Sequence, residues 1–278
     1  MAQLLDIRNI LMTKNGGKEP SRLLVWLLKK ILHVDEMNEF LSRSKATGGV
    51  DFADESLEFL DTKVHATGFE NLDPDKKYIF VSNHPLGGLD GVSLISLIGR
   101  RYNGKIRYFV NDLLLSIHAL RDISIPINKH GALSKQFYEM TNNAFDSDNQ
   151  MVIFPAGKCS RFQPGKGIRD LEWKKTFVIR AVQHQRDVVP IYFEGRNSVF
   201  FYALSFIRCS LGIKLNIEML FLPHEMFLNR HKSFRAYIGK PISWQTFDAS
   251  KTPKQWAQYV KQISEEELNP NYKTKKSS

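Results

Sequence analysis

From about residue 61 onward, short runs of strand-forming residues alternate with longer helical stretches, and this alternation restricts the fold more than any other feature. "YIFVSN" (78–83), "IRYFV" (106–110), "ISIPI" (123–127), "MVIFPAG" (151–157), "VVPIYF" (188–193), "LNIEMLFL" (215–222) and "FRAYIG" (234–239) read as strands. Between several of them, "GVSLISLIGRRY", "ALSKQFYEMTNNAF" and "DLEWKKTFVIRAVQHQ" read as helices. Strands this apolar are buried on both faces and need helices to cover them. The expectation is an α/β layered fold with a mainly parallel central sheet and antiparallel edges towards the C-terminus. Ligands of such folds gather at the carboxyl ends of the strands. His84 sits at one of those ends, and Pro155-Ala156-Gly157 at another.

Ahead of the alternation, Ser21 is placed to cap a helix, "SRLLVWLLKKILHV", whose Arg22, Lys29 and His33 fall close to one face of a mostly apolar cylinder. Such a helix suits the membrane interface and suits packing against the body equally well. The expected organisation is an N-terminal helical segment over 1–60, a main domain over 61–245, and a C-terminal helix with a basic tail over 246–278.

The 39 lysines and arginines against 29 aspartates and glutamates leave a net charge of +10, which suits an anionic membrane, an acidic partner or nucleic acid. No recognised nucleic-acid motif accompanies the charge, so nucleic acid is the weakest of the three. Cys159 and Cys209 form no CxxC pair and make a poor disulfide framework, which points to a reducing compartment. The first twenty residues lack a secretory signal, and "VFFYALSFI" (199–207) is interrupted by Arg208 well short of the roughly 18 apolar residues of a spanning helix. Contact with a membrane would therefore be peripheral.

The stretch "VSNHPLGGLDG" (81–91) carries the candidate chemistry. Pro85 biases His84 away from helical geometry, Gly87 and Gly88 permit a tight reversal, and Asp90 follows at the start of a helix. Such a turn can bring the carboxylate to one imidazole nitrogen and leave the other as a base for an alcohol proton. The alternative is that Asp90 only caps the helix and His84 bonds a nearby carbonyl. Spacing alone weights the two about equally.

Four blocks in order resemble the lysophospholipid (glycerolipid) acyltransferase family. Asn83-His84-Pro85-Leu86-Gly87-Gly88-Leu89-Asp90-Gly91 is similar to its Asn-His…Asp signature, with one more residue between histidine and aspartate than most members have. That spacing is shared with the hemolysin-like branch, which includes bacterial O-acyltransferases of ornithine and glycine lipids. "ISIPINKHG" aligns with the second block, Lys129 taking the basic position; "IFPAGKCSR" resembles the Phe-Pro-Glu-Gly block with Ala156 in place of glutamate; and "VVPIYFEGRNS" resembles the Val-Pro block.

The resemblance implies acyl transfer from an acyl carrier protein or acyl-CoA to a lysolipid hydroxyl, with no bound cofactor and no metal, at the cytoplasmic face of the inner membrane. His84 is then the base and Asp90 its orienting partner. Asn83, Gly87, Gly88, Lys129, Phe154, Pro155, Gly157, Lys158 and Arg161 are the expected substrate-binding residues, with backbone amides near Gly157 or the glycine pair facing the oxyanion. Ala156 removes the glutamate associated with a glycerol-phosphate acceptor. This favours a lyso amino-acid lipid, with Lys158, Arg161 or Lys129 as cationic partners, over 1-acylglycerol-3-phosphate. A non-catalytic membrane-binding protein is the reading from another class. His118, His130 and His184 lack metal-ligand partners at convincing spacing, Cys159 lacks an activating base, and no Gly-x-Ser-x-Gly elbow is present.

Overall fold

In a computed structural model of the chain, which describes residues 5–14, 16–110, 117–126 and 135–272, helices α1 (Ile7–Lys14), α2 (Arg22–Ile31), α3 (Val34–Arg43) and α4 (Gly49–Phe59) precede the alternating part. There follow β1 (Lys63–Thr67), β2 (Tyr78–Ser82), α5 (Gly88–Arg101), β3 (Ile106–Val110), β4 (Ser124–Pro126), α6 (Lys135–Asp146) and β5 (Gln150–Ile153). The chain continues through β6 (Arg161–Gln163), β7 (Gly167–Arg169), α7 (Thr176–Gln183), β8 (Asp187–Phe193), α8 (Val199–Ser210), α9 (Leu222–Leu228), β9 (Ser233–Ile238) and α10 (Pro253–Gln262).

Among the described residues, seven strands form one sheet in the order β1-β9-β8-β2-β5-β3-β4. The run from β8 to β4 is parallel. β9 reverses against β8, with Ile191 opposite Ile238, and carries β1 parallel to itself. The antiparallel junction thus lies inside the sheet and not at an edge.

Every residue of β2 is buried, and its side chains divide by the two-residue period of a strand. Tyr78 and Phe80 join the cluster that includes Phe52, Ala53, Leu94 and Ile98 of α4 and α5. Ile79 and Val81 join the opposite cluster with Phe177 and Ala181 of α7 and Trp256 and Val260 of α10. Helices on both faces fix β2 in the middle of the molecule, and its carboxyl end is where His84 emerges.

Two expected elements differ. "LNIEMLFL" is not a strand: Ile217–Phe221 is a 3-10 turn that runs into α9. Short apolar runs do not distinguish strand from helix by periodicity, and Pro223 in the first turn of α9 favours a helix start. The helix expected from Asp170 begins only at Thr176, because Asp170 and Trp173 are buried and bonded to each other in an irregular segment. The short β1 and the β6–β7 hairpin were not anticipated.

Ser21 does cap α2, its hydroxyl accepting from the Leu24 amide at 3.1 Å. No residue of α2 is fully buried: Val25, Leu28 and Ile31 are half-buried, and Leu23, Leu24, Trp26 and Leu27 are exposed.

α4 and α5 cross closely at Gly99. A Cβ there would lie 2.5 Å from Val50 Cγ2, too close for any real contact. Gly99→Val is expected to cost about 1–3 kcal/mol through overpacking. Urea unfolding should show a lower midpoint at an unchanged slope.

Candidate active site

β2 lies between β5 and β8 in parallel register, Val81 opposite Ile153 and Ser82 opposite Ile191. Just beyond the strand, the Asn83 carboxamide spans to β8: its Oδ1 accepts from the Phe193 amide at 2.7 Å, and its Nδ2 donates to the Phe193 carbonyl at 3.0 Å. Asn83 therefore holds the two strand ends together, and its polar atoms are spent on backbone.

His84 follows. Its backbone amide donates to Asp170 Oδ1 at 3.2 Å, and its carbonyl accepts from the Ser160 amide at 2.7 Å. The imidazole stacks on Phe154 from the end of β5, ring centres 4.0 Å apart.

Pro85 and Leu86 carry the chain to Gly87, whose φ of 78° is open to glycine without strain. A Cβ at Gly87 would meet Leu222 at 2.9 Å and Cys159 at 3.0 Å, and one at Gly88 would meet Met226 at 2.5 Å. The glycine pair thus lets the turn pack tightly beneath α9.

Asp90 stands in the first turn of α5, fully buried. Oδ2 accepts from the Leu86 amide at 2.8 Å. Oδ1 lies 3.0 Å from His84 Nδ1. That second contact is bent away from the ideal direction, and neither atom has another partner. Asp90 is not the helix cap, which is Gly87 without a side-chain bond; one carboxylate oxygen ties down the turn before α5 and the other faces the imidazole, as a dyad requires. The helix N-terminus adds favourable dipole to the charge.

With Nδ1 turned to Asp90, Nε2 is the nitrogen left to act. Burial on its own would lower the pKa of His84; the charge and contact of Asp90, with Asp170 behind, outweigh it and carry it above the ordinary value.

Several neighbours carry no sequence signal that links them to His84. Asp170 lies 86 positions away in the chain. It is fully buried, and burial together with Glu265 pushes its carboxyl up to about 6. Tyr108 of β3 meets Phe154 edge-on, and its hydroxyl lies 2.8 Å from where a Gly91 Cβ would sit. Burial, then the charge of Asp90, hold that phenol well above its usual range, so it stays protonated.

The remaining expected residues divide. Phe154 is the ring beneath His84. Pro155 is buried, its carbonyl accepting from the Lys174 amide at 3.1 Å, and the Gly157 amide donates to the Phe154 carbonyl at 3.0 Å, so it is not a free oxyanion donor. Ala156 turns into the apolar cluster around Trp173 and Phe177, which removes the geometric basis for reading an opened headgroup site from its methyl group. Lys158 is exposed and donates to Asn216 Oδ1 at 3.1 Å.

Arg161 is not available as a headgroup cation. Its guanidinium is buried, bonded to Glu218 Oε1 at 3.0 Å and to the Cys159 carbonyl at 2.8 Å, and Arg208 takes Glu218 Oε2 at 2.7 Å. Lys129 and His130 lie outside the described residues. Burial raises the Cys159 thiol to about 12, which leaves it inert as a nucleophile. His118 is exposed, and His184 lies 2.7 Å from Asp146 and stacks on Phe145. Among the described residues, no cluster of His, Cys, Asp and Glu forms a metal site.

An NMR titration of the full chain should give His84 a pKa above the 6.5 of a free imidazole. Asp90→Asn should lower it, because the amide removes the negative charge that favours imidazolium. No change in Asp90→Asn would remove the pair's electrostatic role.

Residues 16–266 match a family model described as Acyltransferase. A lyso-glycine lipid O-acyltransferase of Phocaeicola vulgatus is 56% identical over 262 residues, covering 94% of each chain. One of Bacteroides thetaiotaomicron is 55% identical, covering 94% of this chain and 96% of its own. Among solved structures, that of the 1-acyl-sn-glycerophosphate (LPA) acyltransferase PlsC from Thermotoga maritima covers 97% of this chain and 89% of its own, at 14% identity and a TM-score of 0.49. A buried histidine–aspartate pair at a strand end is thus set in a sequence that aligns with acyltransferases over nearly its whole length: the chain belongs to the acyltransferase family and is an enzyme.

Proposed function

We propose that the protein transfers a fatty acyl group from a thioester to the hydroxyl of a lyso-glycine lipid, with His84 as general base. The observation that carries the chemistry is the 3.0 Å contact between His84 Nδ1 and a sealed Asp90, which leaves Nε2 to act. The acceptor is supported by the two relatives at 55–56% identity, both named for it.

In this reading Nε2 takes the proton of the acceptor hydroxyl as its oxygen attacks the thioester carbonyl. The tetrahedral oxyanion meets amides of the first turn of α5, which a helix cannot satisfy internally. Collapse breaks the C–S bond, and the imidazolium returns the proton to the departing thiolate. Asp90 holds the tautomer and stabilises the imidazolium, so it is a positioning residue. The headgroup carboxylate falls to the lysines of the Gly157 turn: Lys158, and Lys174, whose Nζ lies 3.1 Å from where a Gly157 Cβ would sit.

The donor is an acyl carrier protein or acyl-CoA, and a net charge of +10 favours either anionic species. We place the enzyme on the cytoplasmic face of the inner membrane. No helix among the described residues is long and apolar enough to cross a bilayer. Two apolar faces suit insertion instead. α2 exposes Leu23 and Trp26 beside Arg22, Lys29 and Lys30. α8 and the turn after it expose Val199, Phe200, Ile207, Leu211 and Leu215. An apolar face rimmed by lysine and arginine suits an anionic leaflet.

His84→Ala should remain folded and lose on the order of 10²–10⁴-fold in kcat. In wild type, kcat/KM should fall as pH drops through the raised His84 pKa, since the base must be neutral. Asp90→Asn should move that limb to lower pH and lower its plateau. With purified protein and one acyl carrier donor, kcat/KM should favour lyso-glycine lipid over 1-acylglycerol-3-phosphate. The reverse preference would reject the acceptor while leaving the chemistry.

Vesicle flotation should show binding that grows with anionic lipid and weakens with salt, and that is reduced by Trp26→Glu or Leu211→Glu. Binding indifferent to both variants would reject these faces. Full turnover in His84→Ala would reject His84 as the base.

A further inference from the structure

The aspartate that orients His84 controls the ring, and a second carboxylate controls the backbone from which the ring projects. Asp170 Oδ1 accepts from the His84 amide at 3.2 Å and from the Ser160 hydroxyl at 2.6 Å. The Ser160 amide returns to the His84 carbonyl at 2.7 Å. His84, Asp170 and Ser160 therefore close a hydrogen-bonded loop around the peptide groups of the base.

The loop is itself anchored. Asp170 Oδ2 accepts from Trp173 Nε1 at 3.0 Å. The Asp170 amide donates to Glu265 Oε1 at 2.8 Å, and its carbonyl accepts from Lys261 Nζ at 2.7 Å and from Gln163 Nε2 at 3.0 Å. Lys261 belongs to α10, and Glu265 to the π-turn Ile263–Glu267 that follows it. The C-terminal helix thus reaches the base through one aspartate.

A side chain that only filled space would not need this many donors, and an apolar residue would avoid the cost of a buried carboxylate. We propose that Asp170 is a positioning residue for acyl transfer: it fixes the backbone of His84 and supplies a second negative charge near the imidazole, tying the base to the C-terminal helix. The proposal rests on His84 being the base.

The charged and titratable groups around His84 come from several elements. They are Asp90 from α5, Asp170 from the segment after β7, Arg161 from β6, Tyr108 from β3 and Cys159 from the segment between β5 and β6. Glu265 stands behind Asp170, itself paired with Arg169 at 2.9 Å and near Lys261 at 3.6 Å. Arg161 opposes a positive imidazole; Asp90 and Asp170 favour it, Asp90 more strongly.

The test compares Asp170→Asn, Ser160→Ala and His84→Ala in the full chain. Asparagine keeps an acceptor for the His84 amide but loses the charge. A misplaced base can cost on the order of 10²-fold in rate, so kcat in Asp170→Asn should fall by about that much with KM little changed. The acid limb of kcat/KM should move to lower pH, by less than in Asp90→Asn, and an NMR titration of His84 should move with it. Ser160→Ala keeps the charge, so its limb should stay in place while kcat falls by a smaller factor.

Wild-type kcat and an unmoved limb in folded Asp170→Asn, even with a lowered melting temperature, would overturn the proposal and leave the reading of His84 intact. If Asp170→Asn fails to fold, Ser160→Ala decides, and an unchanged kcat there overturns it. Retained activity in His84→Ala would overturn both.

Discussion

A carboxylate sealed from water has to find donors or neutralise. Asp90 is sealed, and the local structure follows from meeting that need. One oxygen takes the Leu86 amide and the other faces the His84 imidazole, so the turn between them must double back within a few residues. That reversal needs Gly87 at positive φ and leaves no room for a Cβ under α9 at either glycine. The packing of α9 on the turn and the stacking of His84 on Phe154 are consequences of the same constraint. The spacing of one extra residue between His84 and Asp90 is accommodated by this glycine turn, without separating the pair.

The parts of this arrangement that sequence reveals are the local ones. His84 and Asp90 lie within one turn, and the strand-end position of His84 follows from an apolar run that stops at a proline. The sheet is legible for the same reason: β2, β3, β8 and β9 are short apolar runs bounded by turn residues. "LNIEMLFL" shows where this reasoning stops. It is as apolar as a strand, but Glu218 within it is drawn inward by Arg161 and Arg208, and the run coils around that buried charge with Leu215 and Leu220 turned outward. Asp170 was hidden for a related reason. Its partners, His84, Glu265 and Lys261, are set by tertiary packing, and the apolar spacing around it imitates a helix that its own hydrogen bonds prevent.

Arg161 illustrates how a correct motif can mislead about role. The block it ends is at the strand end beside the base, where a free cation would serve an anionic headgroup. The structure uses its charge internally, and the recognition role moves in our reading to exposed lysines around Gly157. Lysine is a compact charge on a flexible stem, suited to a carboxylate that arrives from solvent or a lipid surface; a rigid, fully bonded guanidinium is suited to holding a scaffold.

The scaffold that Arg161 holds links the two working regions of the molecule. Its neighbour Ser160 bonds the His84 carbonyl, and its own guanidinium bonds Glu218, which also binds Arg208 on the inner face of α8. The outer face of the same helix carries the exposed Phe200 and Ile207, part of the apolar surface we propose for membrane contact. The Phe162 ring of β6 meets Phe206 of α8 edge-on at 5.9 Å, so the contact extends to the surface on both sides of the buried charges. Two cations on one carboxylate leave a positive excess that only well-placed acceptors can stabilise, and the carbonyls of Cys159, Ser160 and Ile213 supply them. Replacing Glu218 with glutamine would leave both guanidiniums without their counter-charge. The damage would then extend inward to the segment that holds His84 and outward to α8, because a single buried carboxylate ties Arg161 beside that segment to Arg208 of the helix.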